Sequence, residues 1–261
     1  MRRMFSNILF LLYVVFISCA VPISVGVNHG YKQNKVNWAQ SVFYVATRQT
    51  ELLCLGDNNC FPFQEKYGAG TSFVIDYVNG NTIMMSAAHL CEPYIVPTEE
   101  EEIIPLQTVF EIGIIQGEFL LLVNDILFID RDSDICVFSV PVEIGVKIEL
   151  SKKSPKYGED VWSIGAPTGY FPETAKPITQ GLFSGDAERR LMDGGLLPFS
   201  NFNMPTVPGM SGSPIINKRG DVVGLVSAVS SDWHMISYSP TLKQLRDARD
   251  IALIKVKSLG N

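Results

Sequence analysis

Val207-Pro208-Gly209-Met210-Ser211-Gly212-Ser213-Pro214 presents one serine flanked by Gly209 and Gly212. Glycine tolerates left-handed backbone that other residues resist, so the chain can turn tightly on both sides of Ser211. Backbone N–H groups on such a turn can converge beside the hydroxyl and hold the oxyanion that forms in acyl transfer. An ordinary surface turn uses the same letters, because Gly, Pro and Ser dominate turns for local reasons. The serine therefore needs partners elsewhere in the chain before it means chemistry.

The first partner is a histidine. Asn79-Gly80 separates the β-rich run Thr71 to Val78 from the run Thr82 to Ser86, which is a strong hairpin signal. The second strand runs into Ser86-Ala87-Ala88 and delivers His89 at its end. The chain has only two other histidines, His29 and His234. An imidazole titrates near neutral pH and can serve as general base. The second partner is an acid. Asp130-Arg131-Asp132-Ser133-Asp134 precedes the apolar run Ile135-Cys136-Val137-Phe138. Asp134 at the mouth of that strand can lie half buried against an imidazole and fix its tautomer. Asp130 and Asp132 read as solvated loop charges.

These segments resemble the trypsin-like, chymotrypsin-fold serine peptidases, and among them the short bacterial glutamyl-endopeptidase and high-temperature-requirement members. Gly70-Thr71-Ser72-Phe73 is similar to that family's Gly-Thr/Gly-Ser-Gly/Phe strand. Ser86-Ala87-Ala88-His89 is similar to its Thr-Ala-Ala-His, Asp134-Ile135-Cys136-Val137 to its Asp-Ile-Ala-Val, and Gly209-Met210-Ser211-Gly212 to its Gly-Asp/Asn-Ser-Gly. Ser163 to Gly169, Thr179 to Ser184 and Gly224 to Ser227 resemble its second-barrel strands. The resemblance spans roughly residues 38 to 250 and implies an all-β fold of two six-stranded antiparallel β-barrels with a C-terminal α-helix. It also implies His89, Asp134 and Ser211 as the catalytic residues, with Ser211 the nucleophile, His89 its base and Asp134 the residue orienting the ring. The N–H groups of Gly209 and Ser211 would form the oxyanion hole, and Ser227 would hydrogen-bond Asp134.

One departure stands out. Met210 occupies a position where many relatives carry Asn or Asp, and in trypsins that acid pairs with an amino terminus released on activation. Methionine cannot make that pair, and no Arg-Ile-Val-Gly-Gly start is present, so activity is expected not to depend on that switch. Met210, Ser227 and Val229 are expected to contact substrate. Pro205 and Thr206 fall at the base of the expected primary pocket, where neither offers the partner a buried Lys or Arg would need. Val226 is expected to narrow that pocket. The expected preference is cleavage after small or medium apolar residues.

At 261 residues and 46% hydrophobic content, the chain can build a sizeable core. Residues 36–145 are expected to form the first barrel, carrying His89 and Asp134, and residues 155–235 the second, carrying Ser211. Lys152 to Gly158 is the natural crossing. Phe110 to Ile129 reads as strands broken at Gln116-Gly117 and Asn124-Asp125. Ser239-Pro240 is expected to cap a helix over 239–256, whose stripe of Leu242, Leu245, Ala248, Ala252 and Val256 would dock on the second barrel. No PDZ module is expected after it.

Residues 1–20 read as a signal: Arg2 and Arg3 precede the apolar run Ile8 to Ser18, short for a membrane span. Ser18-Cys19-Ala20 suits cleavage after Ala20, while Phe16-Ile17-Ser18-Cys19 approximates a lipoprotein box that would attach the protein to a membrane through Cys19. Either of these, or the same run retained as an uncleaved anchor, implies a secreted or periplasmic destination. The remaining four cysteines suit an oxidising compartment. Cys54 with Cys60 and Cys91 with Cys136 are one of three connectivities, and Cys136 also reads as a free buried thiol. Losing Arg2 and Arg3 takes two positive charges from a formal −6, leaving −8, so nucleic-acid binding has no compositional support. The partners expected are protein or peptide substrates. No cofactor and no metal are expected, and Glu99 to Glu102 reads as a solvated loop. Two other functions remain open: a catalytically silent scaffold on the same fold, and an esterase using the same serine.

Overall fold

The computed structural model describes residues 38–54, 60–93, 106–116, 118–165, 176–191, 194–230 and 235–259. His29, His234, Cys19, Glu99 to Glu102 and the 1–20 segment lie outside them. A little over half of the described chain is antiparallel strand, and one α-helix follows the last strand.

The first sheet comprises β1 (Val42–Cys54), β2 (Cys60–Val78), β3 (Asn81–Ser86), β4 (Leu106–Gln116), β5 (Phe119–Leu122), β6 (Asp125–Asp130) and β7 (Ile135–Val140), ordered β5-β4-β1-β2-β3-β7-β6. Asn79 and Gly80 both take positive φ, 52° and 78°. That is the two-residue turn whose backbone twist matches the flanking strands. It sets the register Val78↔Asn81 and Phe73↔Met85, which carries β3 towards His89. The β1–β2 hairpin is paired from Val42↔Phe73 out to Cys54↔Cys60, where a disulfide closes it. Burial divides it. From Gly70 to Ile75, β2 is buried, while Phe61, Phe63 and Tyr67 on the outer part are exposed.

The second sheet comprises β8 (Asp160–Ile164), β9 (Ile178–Arg190), β10 (Leu196–Asn203), β11 (Pro214–Asn217), β12 (Val222–Leu225), β13 (Ala228–Val229) and β14 (Ile236–Pro240), ordered β12-β11-β8-β9-β10-β14-β13. Each sheet thus has seven strands, one more than the resemblance implies. β4, β5 and β6 are separated at the two breaks expected within Phe110 to Ile129, whereas the two-residue edge strand β13 is too short for sequence pattern to register. The helix α1 (Leu242–Leu259) follows. It begins later than expected, because Ser239 and Pro240 finish β14. Thr241 is the cap: its Oγ1 accepts from Gln244 N–H at 3.4 Å, and Gln244 Oε1 accepts from Thr241 N–H at 2.7 Å. That reciprocal pair is a capping box.

Helix α1 packs mainly on β6 and β7 of the first sheet and only to a lesser extent on β12 of the second, where the expected docking lay. Leu245, Ala248, Ala252 and Val256 join a core with Phe73, Ile83, Met84, Val137 and Phe138. The second core is smaller: Val161, Phe183, Phe202, Met204, Met210, Ile215, Val223 and Val226.

Candidate functional site: an imidazole, a carboxylate and a bared serine turn

His89 sits in a single 3-10 turn, Ala88–Leu90, immediately after β3. Asp134 sits immediately before β7. Because β3 pairs with β7 through Ser86↔Cys136, the two residues leave the same end of adjacent strands. Asp134 Oδ1 accepts from the His89 backbone N–H at 3.0 Å, and His89 Nδ1 lies 3.0 Å from both carboxylate oxygens. An ionised carboxylate only accepts hydrogen bonds, so Nδ1 carries the proton and a neutral ring presents Nε2 as an acceptor. Ser227 Oγ donates to Asp134 Oδ2 at 2.5 Å, adding a contact from the segment between β12 and β13. The His89 side chain is 48% exposed and that of Asp134 only 17%. The acid is thus shielded while the ring remains reachable.

Asp134 has φ 57°, the left-handed region that aspartate tolerates better than most side chains. Asp130 helps hold that turn. Its Oδ1 accepts from the N–H groups of Asp132 at 3.0 Å and Ser133 at 3.3 Å, and its Oδ2 accepts from Ser133 Oγ at 2.5 Å. Asp130 is therefore an organising residue of the loop, not a merely solvated charge. The disulfide Cys91–Cys136 brackets the pair, with one sulfur two residues after His89 and the other two after Asp134.

The serine turn is fixed peptide by peptide. Met210 N–H donates to Val207 O at 3.1 Å, with Pro208 and Gly209 between them and φ 89° at Gly209. Proline first and positive φ second define a type II turn. Met210 O accepts from Ser213 N–H at 2.9 Å, and Gly212 N–H donates to Val226 O at 2.7 Å. Thr71, in buried β2, holds the other side: its Oγ1 donates to Gly209 O at 3.0 Å and its N–H to Ser211 O at 2.8 Å. Gly212 has φ 83°, and a Cβ there would fall 2.0 Å from Thr71 O and 3.1 Å from Ala87 N. The serine turn therefore lies against the chain just before His89, and Gly212 is bonded to the residue preceding Ser227. Among the described residues, the N–H groups of Gly209 and Ser211 have no hydrogen-bond partner. Such orphan donors are suited to a developing negative charge.

The residues expected at the substrate divide. Ser227 is half-buried and engaged with Asp134, and Val229 is half-buried on the edge strand β13. Met210 and Val226 are 1% and 3% exposed and belong to the second core, so their side chains pack inward. Pro205 is half-buried, while Thr206 is buried, its Oγ1 3.0 Å from Ser237 Oγ, which also bonds Met204 O at 3.1 Å. Thr71 was invisible as a site residue in the sequence, where a threonine in a β-rich run reads simply as strand. Its only signal is its place in Gly70-Thr71-Ser72-Phe73.

A family model described as trypsin-like peptidase domain matches residues 70–225, more than half of the chain, and the chain belongs to that family. A probable periplasmic serine endoprotease, DegP-like, from Hahella chejuensis is 34% identical over 101 residues, which is 38% of this chain and 20% of that protein. Its counterpart from Pseudomonas fluorescens matches with the same identity and shares. The chain thus spans about a fifth of the length of the curated relatives it matches. Among solved structures, the active form of the Rv3671c protease from M. tuberculosis aligns with TM-score 0.57 at 17% identity, covering 81% of this chain and 80% of that one. AlgW, an HtrA-type protease solved with a tripeptide, aligns with TM-score 0.59 at 14% identity, covering 82% and 61%. At such identities the likeness speaks for the fold.

Proposed function

We propose that this protein is a serine endopeptidase that hydrolyses peptide bonds through an acyl-enzyme on Ser211. His89 takes the Ser211 proton at Nε2 and later returns it to the leaving amine. Asp134 holds the ring in that tautomer and stabilises the imidazolium. The N–H groups of Gly209 and Ser211 receive the oxyanion. The observation carrying this reading is the relay His89 Nδ1–Asp134–Ser227, drawn from the ends of β3 and β7 and the segment between β12 and β13, beside a turn with two N–H donors that have no partner among the described residues. Removing one such donor typically costs about 3 kcal/mol of transition-state stabilisation.

The pocket walls argue for cleavage after small or medium apolar residues. Thr206 and Ser237 already satisfy one another, and none of Pro205, Thr206 and Val229 is an acid that could receive Lys or Arg. We further infer an extracytoplasmic location, since four cysteines pair as two disulfides and the matching relatives are named periplasmic. The mass of the mature amino terminus separates cleavage after Ala20 from a lipid on Cys19.

A fluorophosphonate probe tests the activity. The wild type should label stoichiometrically and cleave a peptide library, and Ser211→Ala should do neither. Folded wild type that never labels would favour the silent scaffold, whereas labelling with ester turnover but no peptide cleavage would favour the esterase. A cleavage profile dominated by Arg or Glu would overturn the specificity.

A further inference from the structure

In the trypsin-type arrangement an acid at position 210 would tether the serine turn, and Met210 cannot. The turn nevertheless needs tethering. Gly209 accesses positive and negative φ at little cost, so its flanking peptides can flip and carry their N–H groups away from the serine. We propose that Thr71 is the positioning residue that holds this turn in its oxyanion-binding conformation, a role resting on the peptidase reading above.

The Gly209–Met210 peptide is held at both ends. Its N–H donates to Val207 O at 3.1 Å, and its carbonyl accepts from Thr71 Oγ1 at 3.0 Å. The Ser211–Gly212 peptide is likewise held, its carbonyl by Thr71 N–H at 2.8 Å and its N–H by Val226 O at 2.7 Å. One residue of the first sheet therefore fixes the carbonyls on both sides of Met210. With those two carbonyls directed at β2, the N–H groups of Gly209 and Ser211 remain for substrate. Thr71 is itself held on several sides: it is fully buried, paired with Tyr44 of β1, and its carbonyl accepts from Ser86 Oγ at 2.7 Å. Ser86 lies three residues before His89, so the same threonine ties the base-bearing segment to the serine turn.

Met210 supplies the other half of the tether. Its side chain is buried in the second core beside Gly165, where an added Cβ would come within 3.1 Å of Met210 Cγ. An apolar anchor below and a hydroxyl latch beside thus replace an ion pair. The turn requires no newly released amino terminus to become ordered.

The test is Thr71→Val, which keeps the strand, the shape and the backbone N–H but loses the hydroxyl, beside Thr71→Ser, which restores it. Thr71→Val should lower kcat about 10- to 100-fold with KM within about twofold, less than the ~10²–10³-fold cost of deleting a donor outright. Affinity for a peptidyl boronic acid, which places a negative oxygen in the same site, should fall by a similar factor. Thr71→Ser should stay within about threefold of wild type in both. Thr71→Ala serves if the valine variant does not fold. Unchanged kcat in Thr71→Val, or a Thr71→Ser variant as impaired as Thr71→Val, overturns the latch alone. A wild type that neither turns over peptide nor takes up fluorophosphonate overturns the peptidase reading as well.

Discussion

The two disulfides should contribute unequally, and in different currencies. Cys91–Cys136 closes a sequence separation of 45 residues and Cys54–Cys60 one of 6. The chain-entropy treatment assigns about 4 kcal/mol to the first and about 2 kcal/mol to the second. Cys91 and Cys136 are also 6% and 0% exposed, so truncation leaves a cavity that adds to the loss. A chain of this size loses about 2–4 °C of Tm per kcal/mol. The double variant Cys91→Ala/Cys136→Ala should therefore melt about 8–16 °C lower, and Cys54→Ala/Cys60→Ala about 4–8 °C lower. Kinetics should separate them further. The longer bridge brackets His89 and Asp134, and small misplacements of reacting groups are costly. Its removal should lower kcat/KM at least tenfold, whereas opening the distal hairpin should leave kcat/KM within about threefold. Calorimetry and peptide turnover on both variants measure this. Equal Tm losses, or equal kinetic losses, would refute the reasoning.

Three further substitutions probe the site. Asp134→Asn should lower kcat about 10⁴-fold while the protein stays folded, because an amide directs the wrong ring nitrogen towards the serine; steady-state turnover and circular dichroism check both halves. Gly212→Ala should abolish fluorophosphonate labelling, since its Cβ would meet Thr71 O at 2.0 Å with the backbone at φ 83°. Met210→Asp should destabilise by several kcal/mol without any gain in rate, because it buries an unpaired charge in the second core; chemical denaturation would show it.

Much of this was legible in the chain because some residue types announce backbone geometry. Asn79-Gly80 could only be a tight hairpin turn, and Gly209 and Gly212 both take the left-handed backbone expected of them. His89 and Asp134 were recognisable at strand ends, and strand pairing explains why they meet. What stayed hidden was set by tertiary context. The amphipathic stripe of α1 says that a face is buried but not by which sheet, so its docking on β6 and β7 could not be read off. Met210 and Val226 sit where a pocket was expected, yet their side chains turn into the core, since flanking spacing does not fix direction at a turn. Asp130 and Thr71 act through hydrogen bonds to backbone, and such bonds leave almost no compositional trace.

The most direct measurement traps the covalent intermediate. Wild-type protein quenched in acid during turnover of a slow ester should carry one acyl group, mapped by mass spectrometry to the peptide containing Ser211, and His89→Ala should carry none under the same conditions. An acyl group on another residue, or undiminished peptide cleavage by Ser211→Ala, would contradict the account.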